Sequence, residues 1–441
     1  MNQISSALEK HRKLILDAER YIWQNPETGY KEVKTSAYMA EQFEKLGYSL
    51  TYAEGITGFV TVLDTGRPGP EVMILGELDS VICPAHPEAD PITGAVHSCG
   101  HNAQCAALLG IAAALKEPGM LDGLCGRIRL CAVPAEELLE ISYRTELKKE
   151  GKIKYFGGKT EFLHRGLFDG VDLAFMVHTG GRLYLRKGAV GLVAKKIIYK
   201  GRASHAGGSP HLGCNALYAA TCGLNAVNAL RETFRESDLI RFHPIVTKGG
   251  DMVNAIPETA EIETYVRGAT FDAITKVNRS VNRALIGAAL SMGANVEIVD
   301  SPGYAPECNS EGMNDLAEEA AKIALPHRTC TRSDAIGTGS TDMGDLSCIM
   351  PTVQPHCGGA TGMAHGNNYQ ISDPEQACVE SALWQLTMLR MLLENGAARA
   401  FRILENFVPQ YTKEEFLALQ DSLNDCGDRI EYGTDEAKIR L

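Results

Sequence analysis

The run Ala103–Leu115 is apolar on nearly every side of a helical projection, and a helix of that kind has to be buried against a sheet rather than lie on a surface. It follows at once on His97-Ser98-Cys99-Gly100-His101-Asn102, which puts two imidazoles and a thiol at the mouth of a buried helix. Neutral His and thiolate Cys are the usual ligands of zinc-like ions. Cys99 and His101 are two residues apart, so in an extended or turning backbone their side chains point the same way, and Gly100 lets the chain bend between them. Asn102 is placed to cap the helix, whose positive end then faces whatever anion a metal holds. The same residues also read as an ordinary polar helix start, and the segment alone does not separate the two readings.

The stretches around this helix repeat one pattern. A strand at Val72–Leu75 ends in Gly76-Glu77-Leu78-Asp79, Arg127–Val133 ends in Pro134-Ala135-Glu136-Glu137, Val171–Val177 ends in His178, and Ser347–Val353 leads through a Gly-rich loop to His365. Helical spacing marks residues 4–24 and 35–46, with a turn at Asn25–Gly29 between them. Strands alternating with helices predict an α/β domain with a mostly parallel sheet, in which ligands gather at the carboxyl ends of the strands. The polar candidates all fall at or beyond that end.

Between Lys187 and Asp300 the texture changes. Strands at Leu192–Lys200, Leu239–Val246, Thr259–Arg267 and Asn295–Val299 and helices at Asn215–Arg231 and Phe271–Met292 give the order β-α-β-β-α-β. This reads as an inserted ferredoxin-like α+β domain over 187–300, leaving 1–186 and 301–441 as a discontinuous main domain. Within Thr259–Arg267, alternation puts Ala260, Ile262, Thr264 and Val266 on the packed face. A helical pattern through Met388 ends near Asn395-Gly396, and the charged tail 397–441 carries enough apolar residues to pack as helices on the main domain.

Charge and cysteine usage exclude some classes of function. A net charge of -12 argues against nucleic acid or an anionic membrane as a main partner. The 13 cysteines are odd in number and irregularly spaced, which fits a reducing compartment and not a disulfide framework. The N-terminus is charged and amphipathic, and no segment offers the roughly 20 apolar residues of a membrane span, so a cytoplasmic protein is expected.

Glu136 and Glu137 are adjacent carboxylates at a strand end, where one can reach a metal while the other faces a water. Acids complementing a helix dipole are the ordinary alternative. A His after an apolar strand, such as His178, is commonly a half-buried, hydrogen-bonded residue, and His365 shares its loop with His356 without a local reason to prefer either. Taken together, Cys99, His101, Glu137, His178 and His365 supply five ligands, enough for two metals that share a bridging water.

In order, CGH, PAEE, a strand-end His, SHAG, NAIP, GSTD and a final Gly-rich loop with His resemble the dinuclear-metal aminoacylase and amidohydrolase group of peptidase family M20. His97–Asn102 and Gly339-Ser340-Thr341-Asp342-Met343-Gly344-Asp345 are most similar to the branch containing p-aminobenzoyl-glutamate hydrolase. The resemblance runs from the start of the chain to about residue 395.

It implies a metallo-amidohydrolase that cleaves N-acyl-, N-aroyl- or aminoacyl-amino acids with a free carboxylate, using two divalent ions, zinc or manganese. Cys99, His101, Glu137, His178 and His365 would ligate them, and Glu136 would be the general base. Asp79 would orient a ligand, and Asn254 and Arg267 would hold the substrate carboxylate. His205, in Ser204-His205-Ala206-Gly207, would stabilise the oxyanion from the inserted domain, which would serve as a lid and join a homodimer. A dipeptidase or carboxypeptidase at the same site, or a non-catalytic metal-binding subunit, are the competing readings.

The chain departs from the family pattern in places. Leu138, Leu139 and Glu140 follow the Glu pair where many relatives have small residues, and Thr179-Gly180-Gly181 replaces the common His-x-x-Pro ending. Ile141–Leu163 is longer and more charged than the usual connection. Since it leaves from the Glu pair, it is expected to wall one side of the pocket and narrow the substrate range.

Overall fold

The computed structural model describes residues 2–441. They form two compact units, one comprising the chain up to Gly188 with Glu307–Gly337 and Thr341–Lys413, the other Ala189–Pro306, Thr338–Ser340 and Glu414–Leu441.

The first unit is built on a sheet whose strands lie in the order Thr51–Tyr52, Phe59–Asp64, Arg127–Val133, Glu71–Glu77, Leu173–Phe175 and Thr352–Val353. The last four are mutually parallel, and the first two add an antiparallel edge. Every residue of Glu71–Glu77 is buried, as expected of a central strand covered on both faces. Parallel pairing brings the carboxyl ends of Glu71–Glu77, Arg127–Val133 and Leu173–Phe175 to one edge, so Asp79, Glu136, Glu137 and His178 leave the sheet on the same side.

The helix His101–Leu115 is buried along its whole length and packs on Glu71–Glu77 and on the helices Asn2–Trp23 and Ser381–Leu393. Small residues allow the close approach: a Cβ on Gly76 would meet Leu108, and one on Gly110 would meet Ile15. Asn102 does not cap this helix. Gly100, with φ 86°, takes the cap position, and Asn102 sits within the first turn and donates to Glu19 Oε1 at 2.8 Å. A side-chain cap contributes about 1 kcal/mol, whereas each buried Leu or Ile contributes about 1.5–3 kcal/mol. Packing therefore fixes where this helix begins.

Two further expectations give way to local chemistry. Ser347–Val353 is not one strand: Met343–Ser347 is helical, a turn follows, and only Thr352–Val353 after Pro351 joins the sheet. Beyond Leu173–Phe175 the chain breaks, and His178–Thr179 pairs instead with His356–Cys357.

In the second unit the strands run Arg241–Phe242, Thr259–Gly268, Gly191–Lys200, Asn295–Pro302 and Asp425–Asp428, with Ile245–Lys248 also pairing with Thr259–Gly268, all antiparallel. The order of strands and helices up to Pro302 is β-α-β-β-α-β, with the second strand position split because Pro244 has no N–H to offer a ladder. Ala260, Ile262, Thr264 and Val266 face inward, and the helices Ala216–Leu230 and Phe271–Ser291 start on side-chain caps from Asn215 and Thr270.

The tail divides. Ala398–Glu405 belongs to the first unit, but from Glu414 onward the chain packs in the second, where Asp425–Asp428 extends the sheet beside Asn295–Pro302 and Ile430–Tyr432 forms a hairpin with Ala437–Ile439. Helical spacing around Phe416 is real, since it lies on Lys413–Ser422 and is fully buried, but the final residues alternate as strands. Among the described residues no helix is long and apolar enough to cross a membrane, and the cysteines are free thiols.

Candidate metal centre

Two groups of ligand atoms, each within 4.8 Å of one another, meet at the carboxyl edge of the parallel sheet: Cys99, His101 and His178, and Cys99, Glu137 and His365. Cys99 belongs to both. The five residues come from the helix start, the turn after Arg127–Val133, the short strand His178–Thr179 and the loop before Gln370–Ile371.

Each imidazole is oriented by a neighbour. Nδ1 of His101 faces the Asp79 carbonyl at 2.9 Å and its carboxylate at 3.2 Å, so the ring proton sits on Nδ1 and the Nε2 lone pair faces inward. Nδ1 of His178 donates to the Thr179 carbonyl at 2.9 Å, turning its Nε2 to Cys99 Sγ at 3.6 Å. His365 has a left-handed backbone, φ 60°, is anchored by its N–H to the Ser98 carbonyl, and brings Nε2 to 2.9 Å from Glu137 Oε1. His356 does not join the group. It pairs with His178 along the strand and stacks on Tyr184 at 4.2 Å.

Asp79 also accepts the Glu137 backbone N–H at 2.7 Å, so one buried carboxylate fixes both a ligand ring and the turn carrying the Glu pair. Glu136 is buried, with its Oε2 at 3.9 Å from His101 Nε2. Burial, with the charges of Glu77, Glu137 and Asp342, pushes its carboxyl well above the ordinary range. Burial and Glu137 push the Cys99 thiol up, but His101 and His178 outweigh them and bring it to about 6.

Two residues escaped the sequence reading. Glu77, two positions before Asp79 on the same strand end, has its Oε2 at 3.2 Å from His101 Nε2 and forms a third group with His101 and Glu136. Its i, i+2 relation to Asp79 was the available signal. Lys159 is buried and donates to Glu77 Oε1 at 2.6 Å and to Asp342. Nothing local marks it.

The donor set fits divalent metals. His101 Nε2 and Glu77 Oε2 are buried and converge to within 3.2 Å of each other, the spacing of two donor atoms turned toward one ion. Cys99 with the surrounding imidazoles and carboxylates is a mixed S, N, O donor set suited to divalent transition metals.

The remaining candidates lie in the second unit, at two ends of its sheet. His205 and Asn254 are neighbours: the backbone of His205 bridges Ala255, and the N–H of Ala206 donates to the Asn254 carbonyl at 2.9 Å. The N–H groups of Gly207 and Gly208 donate to His205 Nδ1 at 3.2 and 2.9 Å, which leaves Nε2–H as the exposed donor. Arg267 is elsewhere. It closes the strand that begins at Thr259, eight residues and roughly 27 Å along the sheet, and it donates to Ser340 Oγ at 2.9 Å.

Residues 73–390 match the profile of Peptidase family M20/M25/M40. The chain is 27% identical to one of the p-aminobenzoyl-glutamate hydrolase subunits of Escherichia coli (strain K12), over 74% of this chain and 64% of that protein. It is 27% identical to the Xaa-Arg dipeptidase of Homo sapiens, over 90% of this chain and 89% of that protein. Its fold is similar to the crystal structure of the Bacillus subtilis YxeP protein, a dinuclear metal binding peptidase from the M20 family, with TM-score 0.62 and 20% identity over 87% of this chain and 99% of that one.

Proposed function

The chain belongs to peptidase family M20/M25/M40, and on that premise we propose that it hydrolyses the amide bond of N-acyl-, N-aroyl- or aminoacyl-amino acids bearing a free carboxylate. The observation that carries this reading is the pair of three-residue ligand groups sharing Cys99, with Glu136 buried beside them. When bound there, two divalent cations lower the pKa of a shared water and polarise the scissile carbonyl.

Every other step falls to side chains. Glu136 takes a proton from the attacking water and returns it to the leaving amine, which keeps the proton count balanced. Asp79 holds His101 and the Glu137 turn in register. Arg267 offers a planar fork to the substrate carboxylate, and Asn254 adds a polar contact. His205, with its proton on Nε2, donates to the oxyanion.

Because Arg267 and the His205–Asn254 pair lie at different ends of one sheet, a single copy of that sheet is poorly suited to grip one small substrate with all three. This supports a homodimer in which His205 and Asn254 serve the partner's site. The edge strand Ile245–Lys248 is exposed along its length, Met252 and Val253 just after it are exposed, and Leu212 and Tyr218 of the same unit are exposed apolar residues too, surface suited to a second copy. The expected outcome is complementation: Glu136→Gln and His205→Ala proteins, each nearly inactive alone, regain about a quarter of normal turnover when mixed in equal amounts and exchanged. Mixtures that stay inactive after subunit exchange, verified by mass, contradict catalysis in trans.

The reading as a whole is tested by amine release from a panel of N-acyl, N-aroyl and aminoacyl amino acids, with zinc or manganese and then with chelator. Metal-dependent release is expected, and basic dipeptides in the panel address the dipeptidase alternative suggested by the Xaa-Arg relative. A metal-loaded protein that releases amine from no panel member overturns the reading in favour of a non-catalytic subunit.

A further inference from the structure

We propose that Arg144 is a positioning residue for Glu136, its guanidinium holding the backbone turn that aims the carboxylate. The inference rests on Glu136 being the general base. The turn needs holding. Ala135 has φ 57°, a left-handed conformation that strains a residue with a Cβ, and residues 134–136 lie outside helix and strand.

Buried side chains grip the backbone on both sides of Glu136. Glu32 Oε1 accepts the Ala135 N–H at 2.8 Å, and Asp79 Oδ2 accepts the Glu137 N–H at 2.7 Å. The carbonyls belong to Arg144: Nη1 donates to Ala135 O at 3.4 Å and to Phe156 O at 2.5 Å, and Nη2 donates to Glu137 O. A single planar fork thus spans the residues immediately before and after Glu136, which the point charge of a lysine cannot do. Space is reserved for it. Arg144 is 1% exposed, and a Cβ on Gly29 would fall on Nη2 and lie 2.9 Å from Ala135 Cα.

The segment Ile141–Leu163 therefore has a use other than the pocket wall expected from its position. Glu140, with φ 51°, turns the chain back and accepts from Thr28 and Lys31 at 2.6 Å each, and the helix Ile141–Lys149 then presents Arg144 to the turn. The competing account is that Arg144 merely satisfies buried carbonyls, in which case its loss lowers stability and nothing else.

Kinetics of metal-loaded Arg144→Lys separate the two. Misplacement of a catalytic group by about 1 Å lowers rate by about 10²-fold, so kcat is expected to fall by that order while KM and metal content stay near normal. Methylguanidinium added to Arg144→Ala is expected to restore kcat without changing metal content. Should the Arg144 variants fail to fold, Gly29→Ala, which presses on the same guanidinium, is expected to show the same fall in kcat with full metal. A kcat within about threefold of normal in a folded, metal-loaded variant overturns the positioning role, as does a loss that only tracks metal or folded fraction. Turnover by the unsubstituted protein in the same assay tests the hydrolase reading, and Glu136→Gln tests the general-base role separately; absence of turnover in the unsubstituted protein overturns both.

Discussion

Glu136→Gln is expected to lower kcat by about 10²–10⁴-fold, the range for loss of a general base, while metal content and KM change little. The amide is nearly isosteric and keeps hydrogen-bonding capacity, but it cannot accept a proton from water. Glu136 is not among the residues of the two groups that share Cys99, so its removal leaves those five ligands intact. Elemental analysis and kinetics on the same sample decide the matter. Normal turnover sinks the mechanism, and a parallel loss of metal reassigns Glu136 to the ligand set, where its grouping with Glu77 and His101 would place it.

The surroundings of Glu136 favour a strong base. Burial raises its proton affinity most, Glu77, Glu137 and Asp342 add to the rise, and His101 opposes them. Lys159 neutralises part of the excess by pairing with Glu77 and Asp342. Divalent cations facing Cys99, His101 and Glu137 would offset the rest and draw Glu136 toward its ionised, proton-accepting form.

What could be read from the sequence was what local pattern dictates. Runs such as Arg127–Val133 announce a strand because they are short and rich in apolar residues, and the polar residues that end them are legible as edge residues because a parallel sheet gathers its carboxyl ends. The inward face of Thr259–Gly268 followed from strict alternation. Illegible features depend on partners far away in the chain. Lys159 and Asp342 are 183 residues apart, so neither reads as buried until the fold joins them. Arg144 sits among charged residues on a short helix and looks like any solvated cation, yet it is enclosed by backbone carbonyls. The choice between His356 and His365 was of the same kind. Only the strand pairing that stacks His356 on Tyr184 removes it from the ligand set.

Cys99 carries the second large effect. As a member of both ligand groups it is the one residue whose loss weakens both positions, whereas His178 and His365 each belong to one. Cys99→Ala is therefore expected to reduce bound metal from about two ions per chain to well under one, with activity lost to the same extent. His178→Ala and His365→Ala are each expected to lose about one ion and to recover part of it at raised metal concentration. Cobalt substitution adds a spectroscopic readout, because a thiolate ligand gives a charge-transfer band that imidazole and carboxylate do not. The thiol is suited to this, since His101 and His178 bring it to about 6 despite its burial. Retention of two ions by Cys99→Ala, or a cobalt protein without the thiolate band, would show that Cys99 faces the centre without binding it, and Glu77 would then become the candidate for the ligand it replaces.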